Sequence, residues 1–180
     1  MPRIQPIDIK QPSIEVAPQL AAVKAKMGKV PNVIATLAQS PVALSAYLAL
    51  SEAVAPKRLT RQEQELVALA VAEANSCGYC LAAHSMIAKS LGVSAEAATA
   101  ARRGGGSDDR ASALAALALA IVKHRGLAQD ADLAAARAAG LDDETILEVL
   151  ANVVVNLLTN YANHLAGTEV DFPAALPLAA

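Results

Sequence analysis

Residues 60–84 read TRQEQELVALAVAEANSCGYCLAAH, and this stretch decides the fold. Thr60 and Glu63 have the spacing of a capping box, in which a hydroxyl and a carboxylate satisfy the orphan amides of a helix start. A helix is therefore expected from Thr60 to about Asn75. A second begins at Ser76-Cys77 and runs to about Leu91, with Gly92 placed as a left-handed cap. Joined by so short a turn, the two can fold back on each other as a helical hairpin.

Working outward, the same signals recur. Short helices are expected over 18–28 and 31–39, and Ser40-Pro41 opens another over 41–54, which Pro56 closes. Ser94 caps a short helix. Asp108 or Asp109 starts one through about His124 that Gly126 ends, and Asp130 starts one to about Ala139 that Gly140 ends. Asp142 caps the last and longest, to about Ala166. Arg103-Gly104-Gly105-Gly106-Ser107 reads as a hinge or loop. Residues 1–17, with Pro2, Pro6 and Pro12, read as an extended arm lying on a neighbour or on the domain surface, and 167–180 as a tail without regular structure. No segment sustains the alternation of a strand. The expectation is a single all-α domain over 1–180.

Composition agrees. The chain has 180 residues, of which 54% are hydrophobic and 18% charged, which excludes a disordered or solvating module. Aromatic residues are 2% against 43 alanines, so the core is aliphatic and built from the best helix former. Net charge is −2, and the basic residues are scattered apart from groups such as Arg102-Arg103 and Lys123-His124-Arg125; with no aromatic platform, nucleic acid is excluded as a partner. The opening residues lack the apolar run of an export signal, which places the protein in the cytoplasm. The longest charge-free stretch, Val30 to Ser51, is broken by Pro31 and Pro41, and no membrane association is expected. So high an apolar content in a small chain exceeds the needs of one core, and interfaces between copies absorb the surplus.

The chemistry centres on Cys77-Gly78-Tyr79-Cys80 followed by Leu81-Ala82-Ala83-His84. On a helix, positions 77, 80 and 84 share one face within about 60°. Free amides and the positive dipole end at a helix start stabilise a thiolate. A second sulfur nearby traps a sulfenic acid as a disulfide before further oxidation. His84 can take the thiol proton or pair with the thiolate, and Glu65, folded back by the hairpin, is the candidate to orient it. Glu63 is committed to its cap, and Glu73 lies too near the turn. A zinc site on Cys77, Cys80, His84 and Glu65 is the weaker reading, since a helical CxxC without a knuckle turn is a poor clip. On the last helix, Asn152, Asn156, Asn160, Asn163 and His164 stack along one face, either as a hydrogen-bond ladder or lining the approach to the site.

Glu65, eleven residues, Cys77-Gly78-Tyr79-Cys80, three residues and His84 together resemble the alkylhydroperoxidase D (AhpD) motif of the carboxymuconolactone decarboxylase superfamily. Pro31-Asn32-Val33, Ser40-Pro41, Asn160-Tyr161-Ala162-Asn163-His164 and Asp171-Phe172-Pro173 resemble its peroxidase-related subgroup. The chain departs at Tyr79, where the best known members carry His. The resemblance implies an AhpD-like helical fold, assembled as homo-trimers or homo-hexamers, that reduces organic hydroperoxides through an intramolecular disulfide. By that similarity Cys80 attacks the peroxide, Cys77 resolves and exchanges with an external dithiol reductant, and Glu65 and His84 relay protons, with no metal, flavin or nucleotide cofactor. The superfamily's decarboxylase branch lacks a CxxC pair, so both cysteines argue against that activity. A general dithiol-disulfide oxidoreductase and a non-catalytic oligomeric or sensor protein are the alternatives.

Overall fold

The computed structural model describes residues 1–178; positions 179 and 180 of the expected tail lie outside the described residues. Among the described residues the chain forms nine helices and no strand: α1 (Ala17–Met27), α2 (Asn32–Leu37), α3 (Pro41–Ala53), α4 (Arg61–Ala74), α5 (Gly78–Ser90), α6 (Ala95–Arg102), α7 (Asp109–Lys123), α8 (Asp130–Ala138) and α9 (Asp143–Ala166). Ser40, Thr60, Ser94, Asp108 and Asp142 each accept a backbone N–H from the first turn that follows. Thr60 and Glu63 close the expected capping box. Helix α8 starts at Asp130 as expected, with Gln129 before it donating its backbone N–H to Asp132 Oδ2 at 2.9 Å.

Helix α4 is the axis of the molecule, with α5, α6, α7 and α9 packed around it. Every residue from Gln64 to Ala72 is buried, as expected of a helix enclosed on all sides. Two apolar clusters result. The larger joins α4, α7 and α9 through Val67, Leu69, Leu114, Leu117, Val149 and Val153. The smaller joins α1, α2 and α3 to the start of α5, and Cys77, Tyr79 and Cys80 are part of it. The CxxC segment thus sits where the amino-terminal helices close over the α4–α5 turn. By length and composition α9 could cross a membrane; here one side of it joins the core through Val149 and Val153.

The arm lies on its own domain. The amides of Arg3 and Ile4 donate to Ala166 O at 2.6 and 3.1 Å, capping the end of α9, and Ile7 N donates to Ala35 O at 3.1 Å. The tail is equally fastened, with Arg102 Nη1 donating to Leu176 O at 2.6 Å.

Candidate active site

Cys77 is the N-cap of α5, with extended φ and ψ, and its sulfur accepts the Cys80 backbone N–H at 3.4 Å. The turn before it bends through Ser76, whose φ of 54° lies in the left-handed region. This backbone path brings the two sulfurs to 2.7 Å while both cysteines remain free thiols, exposed by only 2% and 3%. Zinc bound at its usual ~2.3 Å would hold two sulfurs about 3.8 Å apart, so the pair is too close for that ion. Among the described residues no group of three or more His, Cys, Asp or Glu has metal-ligand geometry.

The sulfurs share their protons. Cys77 is pushed down to about 6, first because the Cys80 thiol donates to it and further because of the Cys80 amide, with burial opposing. Cys80 is held well above the ordinary thiol range, as donor to Cys77, by burial and by the charge facing it. One proton of the pair leaves easily and the second does not, as two like charges at this separation demand.

On the neighbouring side, Glu65 Oε2 lies 2.7 Å from His84 Nδ1. The hairpin supplies this contact. Glu65 is buried among the aliphatic side chains of α4, and His84 is one turn beyond Cys80 on α5. Bonding at Nδ1 fixes the ring and leaves Nε2 to exchange a proton. Glu63 and Glu73 are occupied elsewhere, by Arg110 Nε at 2.6 Å and Arg102 Nε at 2.7 Å. The structure thus joins the four expected site residues as two pairs, Cys77 with Cys80 at the start of α5 and Glu65 with His84 one turn further along it.

Residues 41–120, which hold this whole constellation, match the carboxymuconolactone decarboxylase family. A solved structure described as an alkylhydroperoxidase AhpD core, an uncharacterized peroxidase-related protein from Ralstonia eutropha JMP134, superposes with a TM-score of 0.84 at 26% identity over 94% of this chain and 92% of that one. The chain is thus similar to the carboxymuconolactone decarboxylase family over residues 41–120 and to an AhpD-like fold over nearly its whole length. An uncharacterized peroxidase-related protein from Silicibacter sp. TM1040 shares the fold, with a TM-score of 0.79 at 22% identity over 92% and 91% of the two chains. So does the debrominase Bmp8 in complex with 2,3,4-tribromopyrrole, with a TM-score of 0.80 at 19% identity over 93% and 91%. No curated protein matches the chain in sequence.

Three features of this AhpD-like site were not assigned from the sequence. The asparagine row of α9 is buried: Asn152 and Asn156 donate back to Glu148 O and Asn152 O, Asn160 Oδ1 accepts from Asn75 Nδ2 at 3.2 Å, and Asn163 Nδ2 donates to Cys80 Sγ at 3.3 Å. His164 is exposed, its Nε2 3.0 Å from Asn75 O, and its positive charge lowers Cys77. The even spacing showed the row; which residue met the sulfur depended on how α9 docks.

Second, Tyr79 anchors the tail. Its hydroxyl donates to Asp171 Oδ1 at 2.7 Å and accepts from Val33 N at 3.2 Å, and its ring meets Phe172 edge-on at 5.5 Å. Lys29 Nζ holds the other Asp171 oxygen at 2.8 Å and lies 4.0 Å from the Phe172 ring centre. Burial and the Asp171 carboxylate both raise the Tyr79 phenol, which stays protonated as a donor. Third, Tyr47 of α3 packs against the same cluster; burial raises it, a hydrogen bond from Ser51 opposes, and the negative charges of Cys80 and Glu65 raise it further.

Proposed function

We propose that the protein is a thiol-dependent hydroperoxide reductase that cycles through a Cys77–Cys80 disulfide. The observation that supports this best is the pair of buried sulfurs 2.7 Å apart at a helix start, one turn from an imidazole oriented by a buried carboxylate. With a single proton between the sulfurs, the charge reaches Cys80 when that proton crosses to Cys77. The Cys80 thiolate attacks the terminal oxygen of an organic hydroperoxide. An S–O bond forms, the O–O bond breaks, sulfur gives up two electrons, and the alkoxide leaves as the alcohol with a proton relayed through His84. Glu65 stabilises the imidazolium during that relay. The Cys77 thiolate then displaces hydroxide from the Cys80 sulfenic acid, which departs as water, and an external dithiol restores both thiols by two exchanges. The cycle draws on no metal, flavin or nucleotide, and it requires the reducing surroundings of the cytoplasm.

The test is stoichiometric. Reduced protein freed of reductant receives one equivalent of cumene hydroperoxide, and free thiols and peroxide are followed together in wild type, Cys80→Ser and Cys77→Ser. The expected result is two thiols lost per peroxide in wild type, none in Cys80→Ser, and a trapped sulfenic acid in Cys77→Ser. Persisting thiols beside untouched peroxide overturn it. The lowered Cys77 thiol favours a second reading, a general dithiol-disulfide oxidoreductase. That activity shows as fast reduction of a model disulfide with slow consumption of peroxide.

We also infer that the protein is a homo-oligomer, as trimer or hexamer. Leu147, Leu150, Val154, Tyr161 and Leu165 are exposed and fall within about 60° of one another on α9, a stripe suited to a second copy. Light scattering on wild type and on Leu147→Asp with Leu165→Asp decides it; a monomeric wild type overturns the inference.

A further inference from the structure

We propose that Asn163 is a catalytic residue of the dithiol site, one amide serving Cys80 in two of its states: its N–H holds the Cys80 thiolate, and its carbonyl receives the O–H of the sulfenic acid formed there. The second half rests on the hydroperoxide reading above, and the first does not.

Cys80 is 3% exposed, so a thiolate there has lost almost all its water. A buried anion without donors is costly enough that the group stays protonated instead. On Cys80 both burial and the facing Cys77 act in that direction. The titratable groups around the pair are Glu65 on α4, His84 on α5, Tyr47 on α3, His164 on α9, and Tyr79 with Asp171 at the tail. Glu65 and Asp171 are acids already engaged with His84 and with Tyr79 and Lys29, and Tyr79 spends its proton on Asp171. His164 lies with Nε2 against Asn75 O, and Arg3 is bonded to the His164 carbonyl.

Besides the thiol of Cys77, what donates to Cys80 Sγ is the Asn163 amide, at 3.3 Å. One turn earlier on the same face Thr159 also favours the thiolate, but its single proton is 3.0 Å from Asn156 O. The Asn163 amide favours the charged form of Cys77 as well, so it attends both sulfurs of the pair.

The other end of the amide is as informative. Asn163 Oδ1 is buried and finds no hydrogen-bond partner among the described residues, although most buried carbonyl oxygens have one. A thiolate has no proton to offer it. A sulfenic acid does: when Cys80–S⁻ takes the terminal oxygen of a hydroperoxide, the new S–O–H carries a donor within reach of the residue already touching that sulfur. The oxygen left without a partner in the reduced pair thus gains one in the oxidised intermediate. Holding the sulfenic proton there keeps the hydroxyl in place until Cys77 attacks the sulfur from its near side and hydroxide leaves.

The test uses the full-length reduced protein and two readouts. Thiolate absorbance at 240 nm and iodoacetamide labelling are followed against pH in Cys77→Ser, where the remaining thiol is Cys80, alone and combined with Asn163→Leu, which keeps the volume and removes both ends of the amide, or with Asn163→Ser, which keeps one donor. Loss of a hydrogen bond to a buried charge is expected to slow labelling at pH 6.5 about tenfold in Asn163→Leu, with partial recovery in Asn163→Ser. Separately, in Cys77→Ser treated with cumene hydroperoxide, the dimedone-trapped sulfenic acid is expected to be shorter-lived with Asn163→Leu than without it. Unchanged titration and labelling of Cys80 in a helical, cooperatively melting Cys77→Ser with Asn163→Leu overturn the first half. If Asn163→Leu does not fold, Asn163→Ser alone decides, since unchanged labelling there with Asn163→Asp also unchanged overturns it. If the titration shifts and no sulfenic acid forms in either background, the hydroperoxide reading fails and the thiolate role stands. A normal sulfenic lifetime in Asn163→Leu overturns the second half.

Discussion

Glu65 Oε2 meets His84 Nδ1 at 2.7 Å across nineteen residues of sequence, and the contact exists because the α4–α5 turn folds one helix against the other. A carboxylate this deeply buried, at 4% exposure, needs a hydrogen-bonding partner, and the His84 ring supplies it through Nδ1. Glu65→Gln keeps the volume and removes the charge. It is expected to lower the second-order rate constant for hydroperoxide about 10²-fold, within the usual range for loss of a general acid–base partner. The midpoint of iodoacetamide labelling is expected to stay in place, because the first thiolate is set by the sulfurs and their amide donors. Stopped-flow kinetics and labelling on the same variant separate the two effects.

The Cys77 thiol, lowered to about 6 by Cys80, gives a pH dependence with a definite sign. A group whose folded pKa is depressed contributes stability that is present in full above its unfolded pKa, about 8.5 for a thiol, and is lost as pH falls through the folded value. Melting temperature of the reduced protein is therefore expected to rise between about pH 6 and pH 8.5, and this part of the rise to vanish in Cys77→Ser. Cys80→Ala removes the donor that contributes most to the shift and is expected to move the labelling midpoint of Cys77 upward. Calorimetry across the window, with labelling beside it, checks both.

The fold was legible because the sequence marks its own helix starts. Ser40, Thr60, Ser94, Asp108 and Asp142 each serve as caps in the structure, and glycines with positive φ follow the ends at Gly92, Gly126 and Gly140. The Glu65–His84 contact was legible for the same reason, since it forms within one hairpin. What could not be read are contacts that depend on how distant elements dock. Asn163 reaches Cys80 across 83 residues and Asp171 reaches Tyr79 across 92. Nor does the motif itself say which sulfur carries the charge. That follows from Cys77 standing just outside the helix as its cap, where its sulfur accepts the Cys80 backbone N–H.

Tyr79→Phe tests the anchoring of the tail. The variant keeps the ring contact with Phe172 but leaves Asp171 without its phenol and Val33 N without its acceptor. Loss of partners for a part-buried carboxylate and a buried amide is expected to cost about 1–3 kcal/mol. The larger signal should be local: amide exchange over residues 168–176 is expected to quicken while the core helices α4 and α7 keep their protection. Exchange measured by mass spectrometry distinguishes this from a uniform loss, which would mean that Tyr79 acts only through the core.

Ser76 holds a left-handed φ of 54° in the residue before Cys77, and its side chain is exposed. A non-glycine residue there carries a steric cost that glycine does not. Ser76→Gly is therefore expected to be neutral to stabilising by up to about 1 kcal/mol, glycine's looser unfolded chain offsetting part of the relief. Ser76→Val, branched at Cβ, is expected to destabilise by about 1–3 kcal/mol, because the backbone must stay left-handed for Cys77 to cap α5. The two variants carry a further reading in thiol reactivity. If the turn sets the cap, Ser76→Val raises the midpoint of Cys77 labelling as well as lowering stability, whereas Ser76→Gly leaves that midpoint unchanged. A Ser76→Val protein that melts early but labels like wild type would show that the sulfurs hold their places through α5 and α9 alone.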